Sequence, residues 1–173
     1  AMVRDDQGHA GTIPEEFIGA RVSYPLGPER ILTAVASIGR DYTGIAAVLT
    51  QTDTAIPMMR EAYEKANDEA VRLRYAHVLG LLYDPIGAKT LIQAIGKANW
   101  DKGWKFKGGG NYGPTTSPLD NLIIALGRTG DKRALPVLIE KAGQLKPESE
   151  FSHFRAMAKA LESIGDPQAA ETL

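Results

Sequence analysis

The stretch WDKGWKFKGGGNYGPTTSP, residues 100–118, holds the residue types in this chain that are best suited to binding a ligand. Gly108, Gly110 and Gly113 spell G-x-G-x-x-G, the spacing of a loop that cradles the phosphates of a dinucleotide. Such a loop needs a preceding strand, a helix that opens directly after it and a downstream acid for the ribose. Here a lysine-rich run precedes the glycines and two prolines follow them. The pattern therefore does not predict a nucleotide site.

Two interpretations of this stretch remain open. In the first, Trp100, Trp104 and Phe106 pack back onto neighbouring helices, and the glycines allow turns that need positive φ. In the second, some rings stay exposed as an anchor for a partner, because tryptophan and tyrosine are enriched among interface hot spots. Three lysines against Asp101 give the stretch a net positive charge, which favours an acidic partner. The candidate partner-binding residues are Trp100, Trp104, Lys105, Phe106, Lys107, Asn111 and Tyr112.

The histidines offer little for catalysis or metal binding. His77 falls in the middle of a helical segment, and His153 has Glu150 and Arg155 as sequence neighbours. A Glu-x-x-His pair can ligate a metal in a helical bundle, but a second such pair is needed and the sequence has none. The absence of cysteine excludes disulfides, thiolate catalysis and cysteine-ligated zinc. We therefore expect no catalytic residues, no metal site and no cofactor in this chain.

The composition is that of an ordinary soluble domain. The chain of 173 residues is 43% hydrophobic and 24% charged, with a formal net charge of −1. A chain-wide field that attracts nucleic acid or an anionic membrane is not expected at this charge. No apolar run approaches the roughly 20 residues of a membrane span, and the N-terminus has no apolar signal core. We expect a soluble protein of the cytoplasm or periplasm, with an oligomeric state that the sequence does not indicate.

From Pro28 onward the sequence consists of short helical segments punctuated by glycine, aspartate and proline. The segment 28–39 has Ile31, Ala34, Val35 and Ile38 at i, i+3, i+4 and i+7, one face of a helix. No segment alternates convincingly at period two. The sequence therefore predicts an all-α fold over 28–173, preceded by an irregular lead-in or linker over 1–27.

Several of these segments resemble one another in phase. AHVLGLLYDPIGAKTL (76–91), IIALGRTGDKRALPVL (123–138) and MAKALESIGDPQAAETL (157–173) each hold a helix ending in leucine, an aspartate five residues later and a second helix. The aspartates are Asp84, Asp131 and Asp166, and Thr52 takes that place in a weaker copy. We expect each aspartate to cap the second helix. The spacing from Asp84 to Asp131 is 47 residues, whereas Asp131 to Asp166 is 35. The longer step holds the insertion at 100–118, and insertions of this kind map to loops in helical solenoids.

The runs VRLRYAHVLGLLYDPIGAKTLIQAI and LIIALGRTGDKRALPVLIEKA resemble the HEAT-like repeat of the phycobilisome-lyase type, over roughly residues 40–173. The resemblance implies a right-handed α-solenoid of about four helix pairs that serves as a non-catalytic interaction scaffold. The fourth repeat departs from the pattern, with Phe154 where arginine is common and Glu162 in place of the glycine after leucine. The last residues stop inside a helical pattern, so we expect a solenoid truncated at its C-terminus.

The run TSPLDNLIIALGRTGDKRALPVL, with the aromatic insertion before it and SHFRA after it, also resembles the helical C-terminal region of some bacterial FAD-dependent oxidoreductases. That resemblance implies an accessory domain whose flavin domain lies upstream, so that FAD would be a cofactor only of a longer protein. The expected partner is accordingly a protein or another domain of the same polypeptide. A chromophore lyase activity follows from the family name alone, since no acid–base pair stands out in the sequence.

Overall fold

The computed structural model of the chain describes residues 2–4, 10–12, 48, 52–101 and 116–168. The two long stretches hold six α-helices: α1 (Thr52–Lys65), α2 (Glu69–Leu81), α3 (Ala88–Lys97), α4 (Pro118–Arg128), α5 (Leu135–Ala142) and α6 (Phe151–Ile164). Single turns of 3-10 helix, Pro85–Gly87 and Lys132–Ala134, lead into α3 and α5.

A short hairpin lies within residues 1–27, which the sequence predicts to be an irregular lead-in or linker. Strands β1 (Met2–Arg4) and β2 (Ala10–Thr12) pair antiparallel, with Val3 opposite Gly11. Each strand has three residues, too few for an alternating pattern to be visible in the sequence. The helix predicted over 28–39 lies outside the described residues.

The helices stack as successive pairs, which confirms the predicted all-α, solenoid-like fold. Helices α2, α4 and α6 are the first helices of the second, third and fourth pairs, and they pack side by side in one layer. Helices α1, α3 and α5 are second helices and form the other layer. The Tyr63 hydroxyl and Thr90 Oγ1, 2.8 Å apart, join α1 to α3, while α3 packs directly on α5. The core lies between the layers and includes the fully buried Leu91, Leu126 and Met157.

Two glycines set the distance between neighbouring first helices. A Cβ atom on Gly80 of α2 would lie 2.8 Å from the carbonyl oxygen of Ala125 on α4. A Cβ atom on Gly127 of α4 would lie 2.3 Å from the Cα of Ala160 on α6. Gly80 follows Leu79 and Gly127 follows Leu126, so the sequence motif Leu-Gly corresponds to a backbone-to-backbone contact with the next repeat. In α6 the equivalent position holds Glu162, which is exposed.

The three repeat aspartates lie at the starts of the turns that follow the first helices. The Asp84 carboxylate accepts a hydrogen bond from the Ile86 N–H at 3.0 Å. Asp131 and Asp166 accept the equivalent bonds from the amides two residues later, at 3.0 Å and 3.1 Å. A hydrogen bond from Arg133 lowers the pKa of Asp131. A carboxylate oxygen here satisfies a backbone donor that the helix leaves without a partner.

The residue before each aspartate has a left-handed backbone. Gly130 and Gly165 have φ of 67° and 64°, and Tyr83 occupies the same place in the second pair with φ of 64°. Glycine adopts this conformation without strain, whereas a residue with a Cβ does so at a cost.

His77, in the middle of α2, has a buried Nε2 atom without a hydrogen-bond partner. Burial lowers the pKa of its imidazole from 6.5 to about 4, since the charged form is poorly solvated at this position. The folded chain therefore keeps His77 neutral over a pH range in which the unfolded chain protonates it.

We predict that Gly127→Ala lowers the free energy of unfolding by about 2 kcal/mol, because its methyl group must push the α4 and α6 backbones apart. The matched control is Gly96→Ala in α3, where the nearest atom to a new Cβ would be Val137 Cγ2 at 3.6 Å. Alanine there should stabilise the protein by up to about 1 kcal/mol through its higher helix propensity. Urea unfolding of the two variants would measure both effects, and equal stabilities would contradict the close contact.

We also predict a pH dependence from His77. As the pH falls from 6.5 to about 4, the unfolded chain gains a proton at His77 that the folded chain does not accept. The free energy of unfolding should therefore fall by about 3 kcal/mol across this window from this group. His77→Leu should lack this component, and urea unfolding of both proteins at several pH values isolates it because other groups contribute equally to both. Parallel pH profiles would contradict a His77 that stays neutral in the folded chain.

Candidate functional site

The insertion between α3 and α4 is held at both ends by the helical layers. After α3 the chain continues through Ala98–Asp101, and it returns to the described structure at Thr116. The Nζ atom of Lys141 on α5, a buried lysine, donates a hydrogen bond to the Ala98 carbonyl. The described residues 98–101 and 116–121, with His153 and Lys141, form what we call the insertion base.

The start of α4 closes the base through reciprocal hydrogen bonds. Ser117 Oγ accepts from the Asp120 N–H at 3.1 Å, and Asp120 Oδ2 accepts from the Ser117 N–H at 2.9 Å. This capping box satisfies two of the donors at the N-terminus of α4. Asp101 Oδ2 accepts from the Leu119 N–H at 3.0 Å. Asp101, near the start of the insertion, is thus bonded directly to the helix that follows the insertion.

A buried carboxylate–imidazole pair links the base to the next repeat. Asp120 Oδ1 lies 2.7 Å from His153 Nδ1 on α6, and the two side chains are 0% and 3% exposed. A carboxylate in this setting needs hydrogen-bond donors because water cannot reach it. The Ser117 N–H and His153 supply them.

Trp100 completes the base. Its indole lies on the His153 imidazole with ring centroids 4.5 Å apart, tilted by 34°. The ring is half-buried against the main core, and its Nε1 atom is buried without a hydrogen-bond partner. Trp100 therefore packs inward at the base, in the manner of the first of the two interpretations.

Asp–His pairs orient the imidazole in hydrolases, but among the described residues no serine or threonine hydroxyl is hydrogen-bonded to His153. Ser152 is adjacent in sequence to His153, yet its buried Oγ has no hydrogen-bond partner. Within the parts of the chain that the structure describes, no three His, Cys, Asp or Glu side chains come close enough to hold a metal ion. What the geometry supports is a packed polar link that fixes two neighbouring repeats and the two ends of the insertion.

The other predicted partner-binding residues, Trp104, Lys105, Phe106, Lys107, Asn111 and Tyr112, lie outside the described residues. Sequence reasoning missed the role of Asp120 and set His153 beside Glu150, whereas the structure pairs His153 with Asp120. The spacing Ser-x-x-Asp at 117–120 is a capping-box signal that could have identified Asp120. No sequence signal connects Asp120 with a histidine 33 residues later.

None of the helices that the structure describes is long and apolar enough to span a membrane.

We predict that Asp120→Ala and His153→Ala each lower the free energy of unfolding by about 3–5 kcal/mol, because each leaves a buried polar partner behind. The double variant should lose less than the sum, with a coupling of about 2 kcal/mol. As a control, Asp68→Ala removes the exposed cap that accepts from the Val71 N–H at the start of α2. It should cost about 1 kcal/mol. Additive losses in urea unfolding at 120 and 153 would contradict a direct pair.

Comparison with protein-family models matches residues 120–143 to the PBS lyase HEAT-like repeat. The matched residues run from Asp120 in α4 to the end of α5, which is the third helix pair. No curated protein matches the chain, and nothing in the comparisons supports the resemblance to FAD-dependent oxidoreductases. The third helix pair is thus similar to a HEAT-like repeat, and the described helices form a repeat-based helical module.

Proposed function

We propose that the chain is a non-catalytic protein-interaction module in which HEAT-like helix pairs support a binding segment, the insertion at 100–118. Its partner is a separate protein or another domain of the same polypeptide. The observation that carries the proposal is the insertion base, which ties both ends of the insertion to two repeats through buried contacts.

The buried polar contacts of the insertion base indicate that the insertion does more than connect two helices. Consecutive helix pairs of a solenoid can be joined by a few residues. An insertion anchored by a buried carboxylate, an imidazole and an indole therefore exceeds what the connection between α3 and α4 needs. Binding segments in proteins are commonly loops positioned by a rigid support. The bond between Asp101 and the Leu119 N–H and the packing of Trp100 on His153 provide such support at either end.

The composition of the insertion supports a protein as the partner. Trp104, Phe106 and Tyr112 provide large side chains with few rotatable bonds, which suit an interface core. Lysines at 102, 105 and 107 outnumber the acidic residues of the stretch and favour an acidic surface. Near the base, Phe151 at the start of α6 is 77% exposed and offers a further apolar contact.

The test is photo-crosslinking in cells that make the protein, with benzoylphenylalanine in place of Phe151. We expect a covalent adduct with a partner protein, visible as a product of higher mass. The adduct should disappear in a Trp104→Ala/Phe106→Ala background, whose melting temperature should stay within about 3 °C of wild type if the two rings serve binding rather than the core. The control places the same amino acid at the exposed Glu140 of α5, in the other layer.

Two results would contradict the proposal. One is an adduct that is equally strong with and without Trp104 and Phe106. The other is a melting temperature that falls by about 10 °C or more in the double variant, which would show that the rings belong to the core.

A further inference from the structure

A second surface lies at the other end of α4 from the insertion base. The turns that follow α2, α4 and α6 form one edge of the array, which we call the turn ridge: residues 82–84, 129–131 and 165–166. Helix α4 has 11 residues, so the ridge is about 16 Å from the insertion base along the helix axis.

Contacts between neighbouring repeats make the ridge continuous. Arg60 on α1 is bonded to Asp84 at 2.6 Å, and Lys132 pairs with Asp166 of the next repeat at 3.2 Å. Arg128, the last residue of α4, donates from Nη1 to the Leu81 carbonyl oxygen of the preceding repeat at 3.3 Å. The turns therefore keep fixed positions relative to one another.

On the turn ridge the carboxylates are largely buried, whereas their cationic partners are exposed. The carboxylates of Asp84, Asp131 and Asp166 are 2%, 11% and 15% exposed, since each caps a turn. Their cationic partners Arg60, Arg133 and Lys132 are 50%, 75% and 69% exposed, respectively. Formal charges nearly cancel, but solvent meets mainly guanidinium and ammonium groups.

Tyr83 stands out on this surface because its backbone is strained. Its φ of 64° is the value that the two equivalent ridge positions reach with glycine. The Tyr83 side chain is nevertheless 67% exposed, so packing in the core does not explain why tyrosine stands there. Strain of this kind that persists on a surface points to a role in binding.

Arg128 holds the Tyr83 ring in place. Its guanidinium carbon lies 5.6 Å from the ring centroid, within the range of a cation–π interaction. Tyrosine and arginine are among the residues most enriched in interface hot spots, and a guanidinium can accept a carboxylate in a two-bond geometry. The pair thus offers an apolar ring beside a group that recognises carboxylates.

We infer that the turn ridge around Tyr83 and Arg128 binds an acidic peptide segment of a protein partner, with a glutamate or aspartate on Arg128 and its chain against the Tyr83 ring. This goes beyond the function proposed for the insertion, because it assigns a ligand class to a different surface. A peptide fits this surface better than nucleic acid or a membrane, because the exposed cations are few and alternate with the aspartates that cap the turns. The whole chain also carries a net charge of −1.

The test measures binding of a fluorescein-labelled peptide of alternating glutamate and glycine, about twelve residues long, by fluorescence anisotropy at about 0.1 M salt, where the Debye length is about 10 Å. The comparison peptide replaces every glutamate with glutamine. Wild type should bind the acidic peptide and show little binding of the neutral one. Tyr83→Gly and Arg128→Gln should each weaken binding about fivefold to tenfold, the range expected for loss of a cation–π or charge-assisted contact.

Tyr83→Gly also separates binding from folding. Glycine is the residue that the other two ridge turns use, so the variant should keep a melting temperature within about 3 °C of wild type or above it. The control is Lys97→Gln, which removes an exposed charge at the C-terminal end of α3. It should leave the affinity for the peptide within about twofold, because a distant surface charge is screened.

Several outcomes would overturn the inference. The first is no binding of the acidic peptide by wild type, and the second is equal binding by wild type and Tyr83→Gly. The third is tighter binding of oligothymidylate or phosphatidylserine vesicles than of the peptide, which would identify a surface for polyanions or membranes. Crosslinking at Phe151 is independent of all three, so the function proposed for the insertion stands or falls separately.

Discussion

The close approach of first helices is the constraint on which the rest of the structure depends. Gly80 lies against the Ala125 backbone, and Gly127 lies against Ala160, at distances that admit no Cβ atom. These contacts fix how far each repeat is displaced from the last. The buried leucines of the core, the pair between Asp120 and His153, and the alignment of the turns are all consequences of that displacement.

Two buried carboxylates in this array are stabilised by backbone N–H groups at the starts of helical segments. Asp84 and Asp120 are both buried, and both lie at the start of a helical segment where backbone N–H groups point at the carboxylate. The partial positive charge at such an end stabilises the anion. Each receives one further contact from another repeat, Arg60 for Asp84 and His153 for Asp120. The polar interior thereby contributes to the relative placement of repeats as well as to the ends of the helices.

Much of the fold could be predicted because each repeat is marked by residue spacings within a single helix and the turn that follows it. The leucine spacing and the aspartate five residues later lie within about two turns of helix, so helix type and pairing follow from the sequence. The β1–β2 hairpin could not be predicted, since three-residue strands carry no readable periodicity. The insertion base was predicted only in part. Trp100 was identified by residue type, but its contact with His153 depends on how far α6 is displaced from α4, which no local pattern encodes.

Glu162 distinguishes the outer face of α6 from the equivalent faces of α2 and α4. In α2 and α4 a glycine faces the next first helix, whereas the equivalent face of α6 presents a carboxylate side chain. A copy of the third helix pair inserted between the third and fourth would find an alanine and a glycine at matching positions and could repeat the existing spacing. A copy stacked against the outer face of α6 would meet Glu162, and its backbone could not approach as closely. Duplication of a repeat inside the described array is thus compatible with its spacing, whereas duplication against α6 requires a wider separation at Glu162.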